Sequence, residues 1–131
     1  TSEMNMIEYG INLKKLFHKT FNNINIDLVI IENQIGPLAL RMKTLQGMIM
    51  QHFIENDITN IAPVNSSNKL KEFLGNKKTT YDERKKESIK ITKNLIINTN
   101  WNEHFDKHKK KDDLADCFLQ AKWYISNKLN N

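Results

Sequence analysis

Two carboxylates near the carboxyl end of the chain are the residues best suited to chemistry. Asp113 and Asp116 are three positions apart in a segment whose apolar residues repeat at helical spacing, so both are expected on one helix face. Two carboxylates this close repel each other unless a cation lies between them, and Mg²⁺ takes oxygen ligands of this kind. The alternative is a helix-start preference, because Asp is favoured in a first helical turn and Asp112 is a good N-cap. The pattern alone leaves both interpretations open.

Two basic segments accompany this pair: one lies directly before it, and the other is a predicted helix earlier in the chain. Lys109, Lys110 and Lys111 stand directly before Asp112, where they could hold a polyanion. Thr80 and Glu83 have the spacing of a capping box, and the helix they begin is the most basic element of the chain. We consider two interpretations of this helix: a segment that contacts phosphates, and a solvated face balanced by acidic neighbours.

A third carboxylate, Glu32, follows an apolar, β-branched run that begins at Ile26 and predicts a buried strand. Functional sites gather at strand ends in open α/β sheets. The alternative is that Glu32 has simply reached solvent. If the last helix packs across the sheet, Glu32, Asp113 and Asp116 converge and form a site for one or two Mg²⁺ ions, which can activate water at a phosphodiester.

The elements that must position these residues alternate between helical and strand patterns. A helix is predicted over residues 3–22, a strand to Ile31, a helix from Pro37 to about Ile54, and a second strand over 57–64. A short helix ending at Gly75 follows, then the helix after Thr80, a polar connection over 98–111 and the final helix. The final helix is expected to face a core through Leu114, Phe118, Ala121, Ile125 and Leu129.

Bulk properties limit the class of protein. The length of 131 residues suits one domain, and 20 Lys and Arg against 15 Asp and Glu give a net charge of +5, which permits polyanion binding. The single cysteine, Cys117, excludes an internal disulfide, is expected to be buried, and fits a reducing, intracellular compartment. No apolar run reaches the roughly 18 residues of a membrane span, so no membrane association is expected.

Three segments together resemble the poxvirus-type Holliday junction resolvases, RuvC-like enzymes of large DNA viruses. They are Ile30-Ile31-Glu32-Asn33-Gln34, the run from Tyr81 to Ser88 (YDERKKES), and the run from Lys111 to Asp116 (KDDLAD). The resemblance covers the chain from about Ile26 to its carboxyl end. Each segment alone is weak, whereas the three in this order are fairly specific.

The resemblance implies an α/β, RNase H-like (RuvC-type) fold, with a central mixed sheet flanked by helices, over a single domain of residues 1–131. It implies a metal-dependent endonuclease that resolves four-way junctions by symmetric hydrolysis, as a homodimer, without a small-molecule cofactor. Glu32, Asp113 and Asp116 would bind Mg²⁺, for which Mn²⁺ can substitute. A viral protein of this kind would act at the site of viral DNA replication. The residues expected along the DNA are Arg41, Lys43, Arg84, Lys85, Lys86, Lys110 and Lys111.

One departure from the family pattern shapes the alternatives. Enzymes of this family begin with strands, the first of which carries the leading metal-binding Asp, and nothing before Ile26 has the pattern of that strand. We expect those residues upstream of Thr1; the alternative is a catalytically impaired protein. Two other functions remain open: a non-catalytic junction-binding module of the same fold, and an RNase H-like nuclease acting on RNA–DNA hybrids.

Overall fold

The computed structural model describes residues 5–129. Its elements divide between two compact units, Thr1–Asn65 and Ser66–Asn131, which are described separately. The fold is mixed α/β and mostly helical, so the predicted α/β class is confirmed. Within residues 5–129, no helix combines the length and the apolar composition needed to cross a bilayer.

The first unit is a strand–helix–strand arrangement preceded by a helix. Its elements are α1 (Met6–Phe21), β1 (Val29–Glu32), α2 (Leu40–Glu55) and β2 (Ile61–Val64). The strands are parallel, with Val29 opposite Ile61 and Glu32 opposite Val64. A parallel pair requires a long crossover, which α2 provides. Both strands occur where the apolar runs predict them, although each begins later than expected.

Aromatic side chains form the core contact between α1 and α2. The rings of Phe17 and Phe21 lie 5.7 and 5.6 Å from that of Phe53, centroid to centroid, and His52 packs edge-on to Phe17.

The predicted helix start at Pro37 is wrong. Pro37 lies in a turn before α2, and the preceding Gly36 adopts a φ of 105°, a backbone conformation that favours glycine.

The second unit is helical. After a 3₁₀ turn (Ser66–Asn68) come α3 (Lys71–Leu74), α4 (Tyr81–Ile96), α5 (Asn102–Lys107) and α6 (Lys111–Tyr124), which continues as a π-helical turn to Leu129. The predicted capping box is confirmed at the start of α4. The Thr80 N–H donates to Glu83 Oε2 at 2.8 Å, and the Glu83 N–H donates to Thr80 Oγ1 at 3.2 Å.

The core of this unit lies where α4, α5 and α6 meet, around Ile96, Phe105 and Ala115. The predicted core face of α6 is confirmed at Leu114, which packs against this core, and is wrong at Phe118, Ile125 and Leu129, which are exposed. The buried residues of α6 are Ala115, Leu119 and Gln120. Ala115 is fully buried in this core. The helix α5, which supplies Phe105, was expected to be a polar connection.

Candidate metal and DNA-binding residues

Glu32 ends β1, as the sequence predicts. Its half-buried side chain lies at the carboxyl end of a parallel strand and lines an apolar groove of about 400 Å³ between α1, α2 and β1. Gln34 donates its side-chain N–H to the backbone oxygen of Glu32 at 3.4 Å. Glu32 therefore lies beside an apolar groove, and the polar residues Asn33 and Gln34 follow it in the chain.

A buried glutamine of α2 holds the segment that follows Glu32. Gln46 Oε1 accepts the Gln34 N–H at 2.9 Å, and Gln46 Nε2 donates to Asn33 Oδ1 at 3.3 Å. Gln46 is a buried polar residue, 9% exposed. Gln46 was not predicted as a functional residue, although its spacing from the buried Phe53 places both residues on the inner face of α2.

The two predicted metal ligands of the second unit lie on α6. Asp113 is exposed in the first turn, and Asp116 is half-buried one turn later, so the expected placement on a helix is confirmed. The interpretation of Asp112 as N-cap is wrong, because α6 begins at Lys111 and its N-cap, Lys110, makes no side-chain capping hydrogen bond.

Two lysines from other elements neutralise carboxylates of α6. Lys69 Nζ lies 3.2 Å from Asp116 Oδ1, and Lys85 Nζ lies 3.2 Å from Asp112 Oδ2. The hydrogen bond from Lys85 lowers the pKa of Asp112, and the hydrogen bond to Asp112 raises the pKa of Lys85. Lys69 was missed by the sequence analysis, since nothing in its local pattern links it to the last helix.

The predicted DNA-contacting residues differ in how they are held. Arg84 donates to the Thr79 backbone oxygen at 2.8 Å and Lys111 donates to that of His108 at 2.9 Å. Lys86 and Lys110 are exposed. Arg41 and Lys43 are exposed in the first turn of α2. The second unit thus presents exposed cations on α4 and immediately before α6.

The part of the chain that the structure describes contains no assembled set of metal ligands. Among residues 5–129, no three His, Cys, Asp or Glu side chains are grouped so that they could hold a metal ion. Cys117 was expected to be buried, but it is exposed. Its thiol nevertheless donates to the Leu114 backbone oxygen, and partial desolvation raises its pKa.

Comparisons with known proteins give two matches, both viral. A family model described as "Poxvirus A22 protein" matches residues 2–128. "Uncharacterized protein L451" of Acanthamoeba polyphaga mimivirus is 31% identical over an alignment of 141 positions including gaps, which covers 91% of this chain and 34% of the relative. The chain therefore spans about a third of the length of that curated relative. No solved structure matches the chain.

Proposed function

Because this chain belongs to the poxvirus A22 protein family, the Holliday junction resolvase family, we propose that it is a metal-dependent endonuclease selective for four-way DNA junctions. The observation that carries the proposal is the placement of Asp113 and Asp116 one turn apart on α6, with Asp116 in the half-buried position. The family match covers the segment that contains both residues.

The donor set of the proposed site suits a hard divalent cation. Glu32, Asp113 and Asp116 would hold Mg²⁺ or Mn²⁺ through carboxylate oxygens, the ligands that such ions prefer. Lys69 pairs with Asp116, so a bound metal would share this carboxylate with the lysine or displace it. When bound, the metal supplies Lewis acidity for hydrolysis of a phosphodiester.

The remaining residues of the proposed site bind and orient the nucleic acid. Exposed Lys86 and Lys110 would contact backbone phosphates, which contribute affinity and register without sequence information. The Arg84 guanidinium is held near the start of α4 by Thr79 and would present its remaining N–H groups to phosphate. Arg41 and Lys43, exposed on α2 of the first unit, would also contact phosphates.

We also propose the finer fold, an RNase H-like sheet larger than the described pair of strands. Within residues 5–129, β1 pairs with β2 alone, so its second edge is open. An open edge next to apolar helix faces is a liability unless it is covered. Further strands at that edge would complete a mixed sheet and bring the predicted leading Asp beside Glu32.

A junction-binding module without nuclease activity is the second candidate function. The observation that favours it is the pairing of Asp112 and Asp116 with lysines, which neutralises two of the three carboxylates at the start of α6. A protein of this kind would bind four-way junctions in a salt-sensitive way and cut none of them.

A labelled four-way junction separates these functions. The full chain, and a form extended at the amino end, are incubated with Mg²⁺ or Mn²⁺ beside linear duplex and RNA–DNA hybrid controls. We expect cleavage of the junction alone, with Asp116→Asn lowering kcat by about a hundredfold or more, since it removes a metal ligand. Cleavage that survives Asp116→Asn would overturn the assignment of Asp116. Junction binding without cleavage by either form would favour the second candidate.

A further inference from the structure

Lys85 is the cation that joins the basic helix α4 to the first turn of α6. Its ammonium lies 3.2 Å from Asp112 Oδ2 and 4.9 Å from the centroid of the Tyr81 ring. The Asp112 side chain is 18% exposed and that of Lys85 is 40% exposed, so the pair is partly withdrawn from water. A lysine held on two sides in this way is poorly placed to reach a DNA backbone.

We infer that Lys85 is a positioning residue, whose ion pair with Asp112 fixes the first turn of α6 and thereby orients Asp113 and Asp116. This inference rests on the proposed function and replaces the expectation that Lys85 contacts DNA. It also gives Asp112 a role distinct from that of its two acidic neighbours.

The start of α6 needs such a contact because its own capping is weak. Its N-cap, Lys110, makes no side-chain hydrogen bond, so the first turn lacks the usual Ser, Thr or Asp cap. Lys111 donates to the His108 backbone oxygen at 2.9 Å, which holds the loop before the helix. Within the second unit, the pair between Lys85 and Asp112 ties the first turn of α6 to α4, against which α6 packs.

Asp113 directly follows Asp112, so a movement of the first turn displaces Asp113 with it. Asp116 lies one turn further and is held separately by Lys69. Small displacements of reacting groups cost large factors in rate, because productive geometry requires atoms within narrow limits. The loss of Lys85 should therefore lower turnover more than junction binding.

Charge exchange tests the inference in the full chain. The variants are Lys85→Glu, Asp112→Lys and the double exchange, which restores an ion pair with reversed polarity. Glu103 and Lys107, whose side chains pair at 2.5 Å on the surface of α5, provide a matched control exchange. Two readouts are used: kcat and KM for cleavage of a four-way junction with Mg²⁺, and hydrogen exchange of the backbone amides of residues 114–116.

We expect each single variant to lower kcat about ten- to a hundredfold with little change in KM, and the double exchange to restore most of the loss. The same single variants should speed exchange of the amides of residues 114–116, with recovery in the double variant. The control exchange should change neither readout.

Two outcomes would overturn the inference. If KM rises and the double exchange does not restore cleavage, Lys85 acts by contacting DNA. If amide exchange in α6 is unchanged in both single variants, the pair does not hold the first turn. Should the unaltered chain cut no junction with Mg²⁺ or Mn²⁺, the proposed nuclease function fails, while hydrogen exchange still decides whether Lys85 positions α6.

Discussion

Lys69 Nζ lies 3.2 Å from Asp116 Oδ1, and the lysine side chain is 13% exposed whereas that of the aspartate is 37% exposed. The cation is therefore the more deeply placed partner, and the carboxylate keeps an open side toward solvent. A divalent ion approaching Asp116 from that side would share the carboxylate with Lys69 or displace it. This relationship makes Lys69 a competitor of the proposed metal.

Replacement of Lys69 should tighten metal binding. Lys69→Met removes the positive charge that competes for Asp116, and a partly exposed ion pair contributes up to about 1 kcal/mol, so Mn²⁺ affinity should rise roughly two- to fivefold. Isothermal titration with Mn²⁺ measures this change. Lys71→Met, an exposed lysine of neighbouring α3, is the matched control and should leave the affinity unchanged. Weaker Mn²⁺ binding by Lys69→Met would mean that the lysine organises the site instead.

Acid should remove the contribution of Asp112 to stability. The pKa of Asp112 is lowered in the folded protein, chiefly by the hydrogen bond from Lys85, so the stabilisation is fully present above the unfolded pKa and is lost as pH falls through the folded pKa. Urea unfolding should show Asp112→Asn less stable than the unaltered chain near neutral pH, with the difference shrinking below about pH 4.

The neighbouring variant Asp113→Asn controls for the general preference for acidic residues in a first helical turn. If Asp112→Asn is as much less stable than the unaltered chain in strong acid as at neutral pH, the charge of the carboxylate is not the source of the stabilisation. At alkaline pH, the raised pKa of Lys85 keeps the ion pair with Asp112 intact until the pH rises through the pKa of Lys85 in the folded protein.

Replacement of Gln46 should destabilise the first unit and disturb the chain after Glu32. Gln46→Leu leaves the partly buried Gln34 N–H without its acceptor, which costs about 1–3 kcal/mol of the free energy of unfolding. Thermal or urea unfolding measures the loss. Gln51→Leu is the control, because Gln51 is exposed on the same helix and its side chain contacts only Glu55 at 3.4 Å among the contacts described. Equal stability of the two variants would contradict the role of Gln46.

Local sequence signals predicted the elements well and the long-range contacts poorly. The capping box at Thr80 and the helix end at Gly75 each depend on a few neighbouring residues, so the local sequence was sufficient to predict both. The Lys85–Asp112 pair links α4 to α6 and the Lys69–Asp116 pair links the turn before α3 to α6, and no periodicity encodes either contact.

The core face of α6 shows the same limit in another form. Apolar spacing predicted that Phe118 faces the core, but Phe118 is exposed and Ala115 is fully buried. Spacing identifies an apolar stripe without showing which neighbouring helix it meets. The convergence of Glu32 with Asp113 and Asp116 likewise remains a prediction.

The Met-rich segment from Leu38 to Phe53, which contains most of α2, is the surface on which we expect a second copy of the chain to dock. Leu38 is 99% exposed and Leu40 is 70% exposed, so both leucines of this segment are accessible to a partner. Each leucine removed from water contributes roughly 1.5–3 kcal/mol, so Leu38→Glu with Leu40→Glu should raise the dimer Kd by about a hundredfold or more. Light scattering over a dilution series measures the change. Ile24→Glu alters an exposed apolar residue after α1 and should leave the Kd unchanged. A parent chain that stays monomeric at every concentration would refute this interface.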